Sequence, residues 1–187
     1  MTENKEEKIL YIGTCGGDDP EKASMPFVMA CAALAMDIKA TVALQGNGVY
    51  LAQKGYVIAN INNRGSGGYG RDFEKIVYKQ LGKWETQDFA EAAEFLAKKD
   101  WIDRERIGIM GHSFGGFSAG MSLLLHPDVF KAGIVTAAIS DHRNYDCVLT
   151  EKYMGLLEGN EEAYRNSSMV ALAPKLEGKM LLVHSLM

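Results

Sequence analysis

Apolar positions along the chain fall into short β-rich runs separated by stretches of helical spacing. Lys8–Gly13 reads as a strand. Asp19 followed by Pro20 predicts an N-cap and a first-turn proline, opening an Ala- and Met-rich helix to about Met36. Ala40–Gln45 predicts a second strand, and Val49–Lys54 a short helix ended by Gly55. Tyr56–Asn62 predicts a third strand, followed by the glycine-rich loop Arg64–Gly70. Helix is predicted over 72–80 and 86–99, strand over 106–111, helix over 114–125 and strand over 131–138. Residues 141–177 read as irregular or helical, and Lys179–His184 as a last strand. Strands alternating with helices predict an α/β fold of three layers around a mainly parallel sheet.

Composition narrows this picture. The chain has 187 residues and is 47% hydrophobic, enough for one ordinary core. A net charge of −4 gives no reason to expect nucleic acid or an anionic membrane as partner. The longest apolar candidate, Pro26–Met36, falls short of the roughly 20 residues of a membrane-spanning helix. The charged start, Met1–Lys8, has no apolar run of signal-peptide type after it, so a cytoplasmic location is expected. Three widely spaced cysteines, Cys15, Cys31 and Cys147, fit a reducing compartment and neither a disulfide framework nor a metal site. The glycine-rich loop lacks the Lys-Ser/Thr of a phosphate-binding loop. No cofactor is expected.

The strongest chemical signal is Gly111-His112-Ser113-Phe114-Gly115. Gly-x-Ser-x-Gly alone is a weak pattern, but here an apolar strand runs into it and a helical pattern runs out. That is the context of the nucleophile elbow of serine α/β-hydrolases. Gly111 and Gly115, having no Cβ, are expected to let strand and helix approach closely there. Ser113 is the candidate nucleophile. The Phe114 backbone N–H, at the start of the next helix, is the candidate oxyanion donor.

A serine hydroxyl needs a base, and the base an orienting acid, in the chain order serine, acid, histidine. The downstream histidines are His126, His142 and His184. His126 precedes Pro127 and reads as a helix-end residue. His142 follows Asp141 directly, and sequence neighbours rarely face one site. His184 closes the last strand. Asp141 stands where some α/β-hydrolases place their acid, but reads first as a loop or capping aspartate. His112 adjoins Ser113 and should point elsewhere.

Several longer stretches carry a resemblance. They are Leu51-Ala-Gln-Lys-Gly-Tyr-Val-Ile58, Asn62-Asn-Arg-Gly-Ser-Gly67, Leu81-Gly-Lys-Trp-Glu-Thr-Gln-Asp88, Asp103-Arg-Glu-Arg-Ile-Gly-Ile109, Gly111-His-Ser-Phe-Gly-Gly-Phe117, His126-Pro-Asp-Val-Phe-Lys-Ala-Gly133 and Thr150-Glu-Lys-Tyr-Met-Gly155. Residues 51–184 resemble the hydrolase domain of the prolyl oligopeptidase family, in particular its dipeptidyl-peptidase branch. The resemblance implies an α/β-hydrolase-like fold and a serine peptidase acting on short peptides or small esters through Ser113. Phe114 would give an oxyanion N–H and part of a pocket wall. Tyr145 would line the pocket for a proline-like side chain. The family often has a second aromatic residue where this chain has Leu149, and Trp or Tyr where it has His112. In the family the strand matching Met180–His184 leads into a loop bearing the catalytic aspartate, with the histidine later. Here Ser185-Leu186-Met187 follow. The hydrolase is therefore expected to be incomplete at its C-terminal end, impaired in catalysis and prone to self-association. The loop Gln45–Gly48 and Tyr50 fall where a second oxyanion donor would lie.

Residues 1–56 carry a second resemblance. Lys8-Ile-Leu-Tyr-Ile-Gly-Thr-Cys-Gly-Gly-Asp-Asp-Pro20 and Leu44-Gln-Gly-Asn-Gly-Val-Tyr-Leu-Ala52 are similar to the start of DsrE-like sulfur-relay proteins. This implies a DsrE-like segment over 1–50 joined to a hydrolase segment over 51–187. It also implies an alternative function, a non-catalytic or sulfur-handling domain using Cys15 near a helix N-terminus.

Overall fold

The computed structural model describes residues 8–13, 39–44, 57 and 59–185. They fall in two compact units divided between Ala59 and Asn60. In the first, β1 (Lys8–Gly13) pairs in parallel with β2 (Lys39–Leu44), from Lys8 opposite Lys39 to Gly13 opposite Leu44. Both strands lie within a residue of the predicted runs. The helices predicted over 20–36 and 49–54, the segment boundary near residue 50, Gln45–Gly48, Tyr50, Cys15 and Cys31 lie outside the described residues.

The second unit is built on a parallel three-stranded sheet in the order β3 (Gly108–His112), β4 (Ala132–Thr136), β5 (Lys179–Val183). Parallel neighbours require a crossover, and α3 (Phe114–Leu125) supplies the one from β3 to β4. The sequence placed this strand–helix–strand unit to within about two residues. Every residue of α3 from Gly116 to Leu124 is buried. The helix packs on β3 and β4 and against α2 (Trp84–Leu96). Phe117, Met121 and Leu123 have no solvent exposure, and burial of such side chains stabilises by roughly 1.5–3 kcal/mol each. Met110, Ile134 and Leu181 form a row across the opposite face of the sheet and are exposed. The described residues thus give two layers, the sheet and the helices on one face.

Elsewhere the pattern is read less faithfully. Val57 and residues 59–62, within the predicted third strand, have no regular structure. Apolar alternation becomes a strand only where a neighbour supplies a ladder of hydrogen bonds, and no described strand pairs there. The helix predicted over 72–80 is only α1 (Arg71–Lys75) followed by turns. Lys79 adopts φ 59° and donates its N–H to the Tyr153 carbonyl, which ends helical propagation. Residues 141–177 fold as α4 (Cys147–Met154), α5 (Glu161–Asn166) and α6 (Met169–Leu172) with short 3-10 turns. Asp146 and Ser168 cap α4 and α6 with side-chain oxygens. Among the described residues no helix is long and apolar enough to cross a membrane.

Two polar devices hold the start of α2. Asp88 accepts from the Arg64 backbone N–H at 2.6 Å and from its Nε at 2.8 Å, while the guanidinium lies 4.3 Å from the Trp84 ring centre. This pins the first residues of the glycine-rich loop to the helix. Glu85 is buried, and its Oε2 accepts from the Gly82 N–H at 3.0 Å, while Oε1 has no partner. Burial raises the Glu85 carboxyl from the ordinary 4.5 to about 7. A folded-state value above the unfolded one means the folded chain keeps its proton longer. Stability present below pH 4.5 is therefore lost as the pH rises from about 4.5 to about 7, by roughly 3 kcal/mol in all. The expected outcome for Glu85→Gln, which keeps the bond to Gly82, is loss of this slope in urea midpoints measured across that range. An unchanged slope would show that Glu85 is not its source.

Candidate active site

The turn between β3 and α3 is tight. Ser113, its single residue, adopts φ 56° and ψ −122°, a region that L-residues with a side chain enter only at a cost of order 1–3 kcal/mol. Three contacts hold it. The Ser113 N–H donates to the Thr136 carbonyl at 2.9 Å, at the end of the neighbouring strand. Its carbonyl accepts from the Phe117 N–H at 2.9 Å, opening the helix. The third contact is steric. A Cβ on Gly111 would overlap the Gly115 carbonyl oxygen, and one on Gly116 would fall 2.5 Å from the Thr136 carbonyl oxygen. A Cβ on Gly115 would meet nothing. The close approach of strand and helix therefore rests on Gly111 and Gly116, whereas the motif had suggested Gly111 and Gly115.

Ser113 is exposed, and no hydrogen bond joins its hydroxyl to a described residue. Phe114 opens α3, so its N–H has no acceptor within the helix and points along the positive end of the helix dipole. The Phe114 side chain is partly exposed and packs on Phe117, ring centres 5.4 Å apart. The site can thus present a hydroxyl on a strained turn beside a free backbone donor.

The candidate partners are not assembled around that hydroxyl. Asp141 is buried, but its carboxylate accepts from the Arg143 N–H and Nε, both at 2.9 Å, and from the Ser168 hydroxyl at 2.7 Å. The Arg143 guanidinium holds the Asp141 carboxyl far below the usual carboxylate range. It acts as a cap and an anchor and contacts no imidazole. His142 is buried, and neither ring nitrogen has a hydrogen-bond partner among the described residues. Its ring meets Phe117 edge-on at 4.7 Å between centres. Burial lowers its pKa, keeping the imidazole neutral. His126 faces the Thr86 hydroxyl at 3.3 Å. His184 is exposed, with Nδ1 3.2 Å from the Ser185 carbonyl oxygen. His112 is exposed at the end of β3.

Tyr145 follows the 3-10 turn His142–Asn144 and is exposed, as is Leu149 one turn further on. No ring contact joins Tyr145 to Phe114 among the described aromatic pairs. Cys147 is exposed with a free thiol, and no group of metal-ligating side chains occurs among the described residues. Sequence reading missed Glu85, Arg143 and Ser168. Leu81–Asp88 was singled out as a motif, yet its burial could not be foreseen, and the Ser168–Asp141 bond spans 27 residues.

A model of the prolyl oligopeptidase family matches residues 43–187. A probable dipeptidyl peptidase 4 of Emericella nidulans is 44% identical over 114 residues, 61% of this chain and 15% of the relative. The dipeptidyl peptidase 4 of Trichophyton equinum is 41% identical over 131 residues, 69% of this chain and 17% of the relative. The chain therefore spans about a sixth of the length of these curated relatives. The crystal structure of Porphyromonas gingivalis dipeptidyl peptidase 4 superposes with a TM-score of 0.73 at 32% identity, covering 96% of this chain and 23% of that one. A putative dipeptidyl aminopeptidase IV from Bacteroides ovatus gives 0.71 at 35% identity over 76% of this chain and 21% of that one. The DsrE-like resemblance of residues 1–56 gains no support. The family match begins at residue 43, and the Porphyromonas structure covers 96% of the chain.

The steric account predicts opposite outcomes at adjacent glycines. Gly116→Ala should cost at least about 1–3 kcal/mol. Gly115→Ala should be neutral or stabilising by up to about 1 kcal/mol through helix propensity. Urea denaturation of both variants checks this, and equal costs would contradict it.

Proposed function

Because the chain belongs to the prolyl oligopeptidase family, we propose that it carries the nucleophile-bearing part of a serine peptidase acting on short peptides. Ser113 is the nucleophile in this reading, and the Phe114 N–H stabilises the oxyanion. The observation that carries it is the backbone of Ser113. A positive φ between a strand end and a helix start places the hydroxyl proud of the surface, and two glycines with no room for a Cβ enforce it. Nothing in the packing of the core requires a serine there, and Ser113 is exposed.

Dipeptidyl cleavage is proposed from the relatives, whose names are those of dipeptidyl peptidases. The Tyr145 side chain, exposed after the turn that also seats His142, is proposed as a wall for the apolar side chain next to the scissile bond. In the chemical step the Ser113 oxygen attacks the peptide carbonyl carbon, its proton passes to a base, and the carbonyl oxygen gains charge toward the start of α3. No described imidazole is hydrogen-bonded to Ser113. Among the described residues, the site therefore offers positioning and oxyanion stabilisation without an imidazole hydrogen-bonded to Ser113.

This yields a specific expectation for p-nitrophenyl ester hydrolysis. The chain should show slow turnover that Ser113→Ala removes, several powers of ten below a complete serine triad. The residual rate should show no inflection near neutral pH, because no imidazole activates the hydroxyl. Fast turnover with an inflection near pH 7 would instead place a histidine at Ser113. Turnover unchanged in Ser113→Ala would remove Ser113 from the chemistry.

A further inference from the structure

His142 is the buried titratable group for which neither fold nor catalysis has a use. Its ring is enclosed, with neither nitrogen partnered, although a buried polar nitrogen left unpaired costs roughly 1–3 kcal/mol. Apart from Asp141, the elements around it offer no counter-charge. Phe117 of α3 presents an aromatic edge. Thr150 of α4 gives its hydroxyl to the His142 backbone carbonyl, at 3.4 Å, and so does not serve the ring. Within the 142–144 turn, Arg143 is half-exposed and paired with Asp141. Asp141 is the charged group that acts on the ring, yet its oxygens are taken by Arg143 and Ser168. An imidazolium formed there would be a buried ion without a partner.

The position matters because of what His142 supports. Its ring packs on Phe117, which packs on Phe114, and the Phe117 N–H is the donor to the Ser113 carbonyl. We propose that His142 is an acid-operated latch beneath the strand-to-helix turn: the neutral imidazole seats Phe117 and Phe114, and the protonated ring leaves its site and unseats them. The 142–144 turn moves with it, and so does Tyr145, whose N–H donates to the His142 carbonyl. The sign follows from the neutral form being the buried one. The latch is closed above the unfolded-state value of about 6.5 and opens as the pH falls below it. The functional consequence, loss of the oxyanion donor's alignment in acid, rests on the reading of Ser113 and Phe114 given above. The structural event does not.

The test is side-chain NMR of the chain from about pH 8 to about pH 4.5, following the four histidine ring signals and those of Phe114 and Phe117. The expected result is that the His142 ring titrates below the ordinary imidazole value of about 6.5. The two phenylalanine signals should shift with the same midpoint, and their transition should vanish in His142→Phe. Phenylalanine rings that stay fixed while His142 titrates would overturn the proposal, as would a transition that persists in His142→Phe. Should His142→Phe not fold, His142→Met replaces it, and the wild-type titration alone still decides whether ring and turn move together. A parallel fluorophosphonate-labelling series on Ser113 separates the two readings. Coupled ring shifts without Ser113 labelling at any pH leave the latch standing and count against the nucleophile. Labelling that persists undiminished in acid, with fixed rings, overturns the latch alone.

Discussion

The backbone of Ser113 is the constraint around which the second unit is organised. A residue with a side chain at φ 56° is held there only if its surroundings over-determine it. Here they do so three ways: through the Thr136 carbonyl on β4, through the Phe117 N–H on α3, and through glycines at 111 and 116 where strand and helix backbones nearly touch. Each tie belongs to a different element, so the turn is only as firm as the packing of β3, β4 and α3 together. That packing is the largest contact set of the unit. Fold and site are the same physical object here, since the core that stabilises the unit also keeps one hydroxyl in an unfavourable conformation at the surface.

The second unit buries three titratable side chains, Glu85, Asp141 and His142, among the described residues. Asp141 is fully satisfied, joining the loop after β4 to α6 through Ser168. Glu85 is half satisfied and His142 is not satisfied at all. All three are buried, yet their titration behaviour diverges for stated reasons. A guanidinium and hydrogen bonds hold Asp141 charged, and burial holds Glu85 protonated and His142 neutral. Both effects fall on the acid side of neutrality and oppose each other: Glu85 destabilises as the pH rises from about 4.5 to about 7, and His142 as it falls below about 6.5.

Much of this was legible in the sequence, and the boundary of legibility has a physical cause. The strands at 108–112, 132–136 and 179–183 and the helix at 114–125 follow from local apolar runs and a turn signal, and each of these strands finds a parallel neighbour in the sheet. The run predicted over 56–62 has the same local pattern, but Val57 and residues 59–62 form no strand, because pairing is non-local. The motif suggested Ser113 but misplaced one of the two tight glycines, since the clash at Gly116 is with the Thr136 carbonyl of another strand. The sequence offered Asp141 as an acid or a cap and His142 as a base, disfavoured because it adjoins Asp141. Only the structure shows one joined to Ser168 and the other sealed against Phe117.

The central claim is that folding, rather than the bare motif, prepares Ser113 for covalent chemistry. It is tested most directly by mapping the residue phosphonylated by a fluorophosphonate probe, in buffer and in denaturing urea, by peptide mass spectrometry. Label is expected on Ser113 in the folded chain and none above the level of other serines once the chain is unfolded. Equal labelling in both states, or label on a different serine in the folded chain, would contradict it.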